Sequence, residues 1–216
     1  MADLSDILSR ALPELARGGL WTRGGEVGTI PMAEFDARDF RVLITRLSSY
    51  EDTSLSFTHD ILYALCAERG WFPDWSFLPP PADRETFARL GVPWLFGVQS
   101  WRDARGFDLI AFSNSISQEM GNVLWFLKNS GIPIEKSRRM DDPSIPLVIM
   151  GGANAGSASA FMHPEPPVDG IFVGEDLDEI ARLFGAIRDC RRDGMSKREA
   201  LARLCELPGF FEPDSP

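Results

Sequence analysis

Thirty-two acidic residues stand against 22 basic ones in a chain of 216, a formal net charge of −10; so acidic a chain repels phosphate backbones, which excludes nucleic-acid binding by this chain alone. With 44% apolar and 25% charged residues the composition is globular rather than disordered, and the length suffices for one α/β domain with terminal additions. No apolar run approaches the roughly 20 residues of a membrane span, and the opening "MADLSDILSR" has early acids and no apolar signal core, so a cytoplasmic protein is expected.

In chain order, Leu4, Ile7, Leu8, Leu12 and Leu15 fall at helical spacing over residues 4–17, with Ser5 as a cap, Pro13 as a local break and Gly18-Gly19 as a stop. "GLWTRGGEVGTI" (19–30) reads as an irregular connector. "RVLITRL" (41–47) is a short apolar run of strand type, followed by a helix over 56–70 that shares Phe57, Ile61, Leu62, Leu65 and Cys66 on one face and ends at Gly70. A weaker strand (75–79), a short helix (83–91), a strand "DLIAFS" (108–113) and a helix over 116–131 come next. The strands "PLVIMGG" (146–152) and "GIFVG" (170–174) lead to a helix over 176–194, with acids in its first turn and arginines in its last. A final helix over 196–209 opens on a capping box, Ser196 and Glu199.

Strands thus alternate with helices through five units. Apolar strands without alternation are buried on both faces, and right-handed crossovers put helices on both sides. The expected fold is α/β: a doubly wound, five-stranded parallel sheet, Rossmann-like with the flavodoxin-type order 2-1-3-4-5, with an N-terminal helical extension and a C-terminal helix. A ligand of such a sheet sits beyond the carboxyl ends of the strands, at the switch point. The loops emerging there are "SSYEDTS" (48–54), "SNSIS" (113–117), "GGANAG" (151–156) and "GEDLD" (174–178). They offer hydroxyls, amides and bare backbone without a nucleophile–base pair, which suits a large planar or amide-decorated ligand better than chemistry on a small substrate. The paired glycines Gly151-Gly152 at a strand end mark either a close approach to the backbone or a tight strand-to-helix turn.

Other residue types narrow the field. Cys66, Cys190 and Cys205 form neither a CxxC nor a CxxxCxxC pattern, so no iron–sulfur or zinc site is encoded and all three read as buried free thiols. His59 reads as a surface or helix-start residue, and His163 lies in a proline-flanked loop. Glu175 and Asp176 are explained by a helix start. Trp71, Trp75, Trp94, Trp101 and Trp125 close the core or cover one face, an exposed subset being able to dock a partner.

A strand ending in a serine loop beside a strand ending in Gly-Gly is the pattern of cobalamin-binding domains. The chain resembles, more specifically, the N-terminal region of cobalamin-binding-type radical S-adenosylmethionine proteins. The resemblance is carried by "RGGEVGTI" (23–30), "YEDTSLSFTHDILYAL" (50–65), "FDLIAFSNSISQEMGNVLWFLKNSGIPI" (107–134), "PLVIMGGANAGSASAFMHPEP" (146–166), "VDGIFVGEDLDEI" (168–180) and "LPGFF" (207–211).

It implies an N-terminal helix and connector (1–39), a cobalamin-binding-type Rossmann-like domain (40–195), and a C-terminal helix and linker (196–216) toward a catalytic domain outside this chain. The implied cofactor is cobalamin, held by Ser48, Ser49, Tyr50, Ser113, Asn114, Ser115, Gly151, Gly152, Ala153, Asn154, Gly174 and Glu175. The axial-histidine motif DxHxxG is not matched around His59, where Phe57 replaces the Asp and Leu62 the Gly, so no axial histidine is expected. The iron–sulfur cluster and S-adenosylmethionine would belong to a radical S-adenosylmethionine catalytic domain acting in cis or in trans. The alternative is a domain of the same fold that has lost cobalamin and serves as a docking module.

Overall fold

The computed structural model describes residues 3–22, 28–53, 56–174 and 176–214. Three strands rich in β-branched and large apolar residues form the centre of the sheet: β1 (Arg41–Arg46), β3 (Leu109–Ser113) and β4 (Leu147–Gly151). They are buried on both faces, as parallel strands covered by helices must be. β2 (Phe72–Ser76) is an edge strand, which lets it tolerate Pro73. β5 (Gly170–Phe172) follows β4, and a two-residue strand, β6 (Phe210–Phe211), closes the far edge.

The order is β2-β1-β3-β4-β5-β6, with the first five strands parallel and β6 antiparallel to β5. The expected 2-1-3-4-5 arrangement is therefore present, extended by one short strand. The Phe210 ring lies over Gly170, where a Cβ would collide with it.

Among the described residues eight α-helices surround the sheet: α1 (Leu4–Ala11), α2 (Tyr50–Thr53), α3 (Thr58–Glu68), α4 (Arg84–Leu90), α5 (Asn122–Lys128), α6 (Lys136–Asp141), α7 (Leu177–Arg192) and α8 (Lys197–Leu204). α3 and α7 lie against each other on one face of the sheet, where Tyr63 of α3 stacks on Trp75 of β2 at 4.2 Å. α5 covers the opposite face, its Phe126 packing on Phe112 with ring centroids 5.7 Å apart. Among the described residues no helix is long and apolar enough to cross a membrane.

Several boundaries differ from the sequence reading. The first helix ends at Ala11 because Pro13 diverts the chain into a 3-10 turn. The helix expected from residue 116 begins at Asn122, after a 3-10 turn over Ser117–Glu119. β2 starts at Phe72 rather than 75 and ends at Ser76. The last helix stops at Leu204, with its Ser196–Glu199 capping box formed as expected.

α6 has no counterpart in the sequence reading. Its buried side chains are Lys136 and Arg139, which give no apolar period. Arg139 is anchored by Asp169, whose Oδ1 accepts from Nε at 2.9 Å and from Nη2 at 2.7 Å, while Oδ2 accepts from the Val148 N–H at 2.8 Å. Cys66 and Cys190 are buried, but Cys205 is exposed, on the outer side of the turn after α8. His59 stands in the first turn of α3 as expected, though buried rather than at the surface.

Candidate functional site

The parallel register places Arg46, Ser113 and Gly151 side by side at the carboxyl ends of β1, β3 and β4. One step back in the strands, on the same face, lie Ile44, Ala111 and Ile149. Here, between the sheet and the helices α3 and α7, a cleft of about 270 Å³ opens. Its floor is Ala111, Ser113, Ile149 and Gly151; Ile61 and Leu62 of α3 form one wall, and Leu177, Ile180 and Phe184 of α7 the other. The sheet reverses its winding at this point, so the helices that follow β1 and β3 leave on opposite faces and leave the space uncovered.

Of the residues the sequence points to, Ser113, Ser115, Gly151, Gly152, Ala153 and Gly174 line this cleft. The others do not. Ser48 Oγ donates to Glu119, 2.6 Å from each carboxylate oxygen, and Ser49 Oγ donates to Asp52 Oδ2 at 2.5 Å. Tyr50 opens α2 and packs edge-on against Phe77. Asn114 is fully buried, its Nδ2 donating to the Asn154 carbonyl at 3.0 Å, and Asn154 Nδ2 returns a bond to the Ser115 carbonyl. Glu175 lies outside the described residues, as do residues 23–27 of the glycine-rich connector.

The paired glycines have separate reasons. Gly152 has φ +106°, and a Cβ there would come within 2.7 Å of the Asn114 carbonyl oxygen and 2.9 Å of its nitrogen. It is glycine because the serine loop runs directly against it. Gly151 is different: the nearest atom to a Cβ would be the Phe172 carbonyl oxygen at 3.7 Å, an ordinary contact. No protein neighbour excludes a side chain there, and the space such a chain would fill is the cleft itself.

The histidines and the Pro-Glu-Pro segment take structural roles. His59 packs edge-on against Phe77 with centroids 5.6 Å apart and does not line the cleft. Glu165 accepts from the Ser137 N–H at 2.9 Å at the start of α6, and this bond holds its pKa below the ordinary carboxylate value. Its own N–H donates to His163 Nδ1 at 3.0 Å. Asp176 caps α7 by accepting from Asp178 and Glu179 N–H groups.

Arg46 escaped the sequence reading. A basic residue at the end of an otherwise apolar run was the available signal. It is only 3% exposed, and burial lowers its pKa from the usual guanidinium value, opposed by the charge of Glu119. Its Nη1 donates to Ser113 Oγ at 3.4 Å.

A rim of apolar side chains surrounds the opening. Phe57, Ile61, Ile116, Val173 and Leu177 are all large and exposed, Phe57 at 72%; each lines the cleft or adjoins a residue that does.

A mostly parallel sheet covered by helices, with an apolar, glycine-floored cleft at its carboxyl edge, defines a Rossmann-like α/β domain. The sequence model described as "Radical SAM proteins, N-terminal" matches residues 58–213, and the chain belongs to that family. Neither a curated protein nor a solved structure matches it. In radical SAM proteins S-adenosylmethionine and an iron–sulfur cluster belong to the catalytic domain. Among the described residues no group of three His, Cys, Asp or Glu side chains is placed to hold a metal ion.

Proposed function

We propose that this is a cobalamin-binding-type domain serving a radical S-adenosylmethionine catalytic domain, in cis or in trans. The observation that carries the reading is Gly151, a glycine with no packing reason to be one, on the floor of an apolar cleft beside a serine hydroxyl. At about 270 Å³ the cleft falls just below the roughly 300–1,000 Å³ of pockets that enclose a whole drug-sized ligand. It therefore suits one appendage of a large ligand, the body of which lies outside.

The residues fit a corrinoid in that manner. The apolar tail of the cofactor would enter between α3 and α7, over Gly151 and Ala111, with Ser113 and Ser115 supplying hydroxyls. The macrocycle would rest on the strand ends near Gly152, Ala153 and Gly174. Bound cobalamin would supply alkyl- or electron-transfer chemistry to the partner domain, while this chain's residues bind and orient it. His59 is turned into the core, so the reading requires no histidine ligand from it.

The test is retention of colour. Protein incubated with hydroxocobalamin and desalted keeps the corrinoid visible spectrum, whereas Gly151→Val, folded as judged by its melting curve, loses it. A colourless wild-type protein overturns the assignment.

The exposed apolar rim supports a second reading, in which the same edge docks the catalytic domain directly. Under that reading Phe57→Ser together with Leu177→Ser abolishes co-elution with the catalytic domain, and no corrinoid is needed for the pairing.

A further inference from the structure

Among the described residues two arginines are almost completely buried, and they are treated differently. Arg139 is saturated: besides Asp169, it donates to the carbonyls of Pro133, Ile134 and Pro166. A buried guanidinium needs such partners, because its charge and five N–H groups lose water on folding. Arg46 lacks them. It has one long bond to Ser113 Oγ, its buried Nε has no hydrogen-bond partner among the described residues, and no carboxylate of the described residues lies within ion-pair distance. Glu119, whose charge opposes the lowering of the Arg46 pKa, makes no ion pair with it and accepts the Ser48 hydroxyl.

The position of this unmatched cation carries the inference. By register Arg46 shares the cleft face of the sheet with Ser113 and Gly151. Its guanidinium stands directly behind the Ser113 hydroxyl, which lines the cleft. Because Ser113 Oγ accepts from Arg46, its own O–H is left to donate into the cleft. Apart from the Thr58 and Ser115 hydroxyls and the glycine backbone, wall and floor are apolar.

We propose that Ser113 and Arg46 form an anion-accepting corner of the cleft, which takes a ligand group with an apolar body and an oxyanion, carboxylate or phosphate, at its inner end. The proposal rests on the cleft being a ligand cleft and not on the ligand being a corrinoid. Ser113 makes the contact. Arg46 acts behind it as a positioning residue, supplying the charge that makes an anion preferable to a neutral acceptor.

The probes are octanoate, octyl phosphate and 1-octanol, which share one apolar chain and differ at the tip. By calorimetric titration the wild-type protein binds one or both anionic probes at least about tenfold more tightly than the alcohol, the scale of a charge-assisted hydrogen bond. The tighter of the two anions identifies the headgroup. In Arg46→Met the preference over the alcohol falls to about one, and in Arg46→Lys it is partly kept.

Unliganded Arg46→Met melts at or above the wild-type temperature, since replacing an unmatched buried cation by a matching apolar chain removes an unfavourable term. Equal binding of all three probes, no binding of any, or a large loss of stability in Arg46→Met overturns the corner. Hydroxocobalamin retention is scored separately. Its loss with the anion preference intact refutes only the corrinoid reading, and its presence without the preference refutes only the corner.

Discussion

Adding a single methyl group at each of the two adjacent glycines is expected to act in opposite directions. At Gly152 an alanine meets φ +106°, a region that costs an L residue about 1–3 kcal/mol. Its Cβ would also stand 2.7 Å from the Asn114 carbonyl oxygen, so the serine loop must withdraw. That withdrawal breaks the Asn114 N–H bond to the Gly151 carbonyl, at 2.8 Å, and the Asn154 N–H bond to the Asn114 carbonyl, at 3.0 Å. At about 1 kcal/mol each, these bring the total to roughly 3–5 kcal/mol. For a chain of this size that is a fall in melting temperature on the order of 10 °C. Gly151→Ala has free space and no positive φ, and gains about 0.5 kcal/mol from the reduced entropy of the unfolded chain. Melting curves of the two variants followed by circular dichroism decide the matter. Equal losses, or a larger loss at Gly151, would refute the assignment of Gly152 to packing and of Gly151 to the cleft.

Three further outcomes follow from buried groups. Burial pushes the Asp74 carboxyl up to about 6, although N–H groups of Trp75, Gln99 and Ser100 oppose the shift. Its folded pKa lies above the unfolded value, so the stability it contributes is complete below about pH 4 and is lost as pH rises to about 6. The loss is on the order of 3 kcal/mol at most. Wild type minus Asp74→Asn in melting temperature should therefore shrink from pH 4 to pH 7, and a constant difference contradicts the account. Asp169→Ala strands the Arg139 guanidinium and the Val148 N–H, costing about 3–5 kcal/mol in urea unfolding, with a loss under 1 kcal/mol as the refuting result. Iodoacetamide should modify Cys205 in the folded protein and reach Cys66 and Cys190 only in denaturant; burial also raises the Cys66 thiol, and early labelling there would count against the core as described.

What could be read from the sequence was whatever buries apolar side chains at a regular period. "RVLIT", "LIAF" and "LVIM" announce central strands, and their order follows from right-handed crossovers between parallel neighbours. α6 was invisible because the side chains it buries are Lys136 and Arg139, held by Glu212, Asp214 and Asp169. β6 is two residues long and has no period to show. β2 was read three residues late because Pro73 and Asp74 mask a strand that the edge position tolerates. At the site, the serines and glycines at strand ends were visible as breaks in apolar runs. That Asn114 and Asn154 tie loops together, while Gly151 faces open space, depends on distances between segments some 40 residues apart, which no local pattern encodes. Ser48, Ser49 and Tyr50 were grouped with them by position at the same sheet edge, but α2 directs their contacts elsewhere.

The bonds that join Asn114, Asn154 and Gly151 rivet the two loops on the β3–β4 side into one rigid jamb. The opposite sides of the cleft are the first turns of α3 and α7, which the bonds of this jamb do not reach. Under the proposed reading of the cleft, a guest would therefore meet one stiff side, built of strand ends, and one side held by helix packing alone.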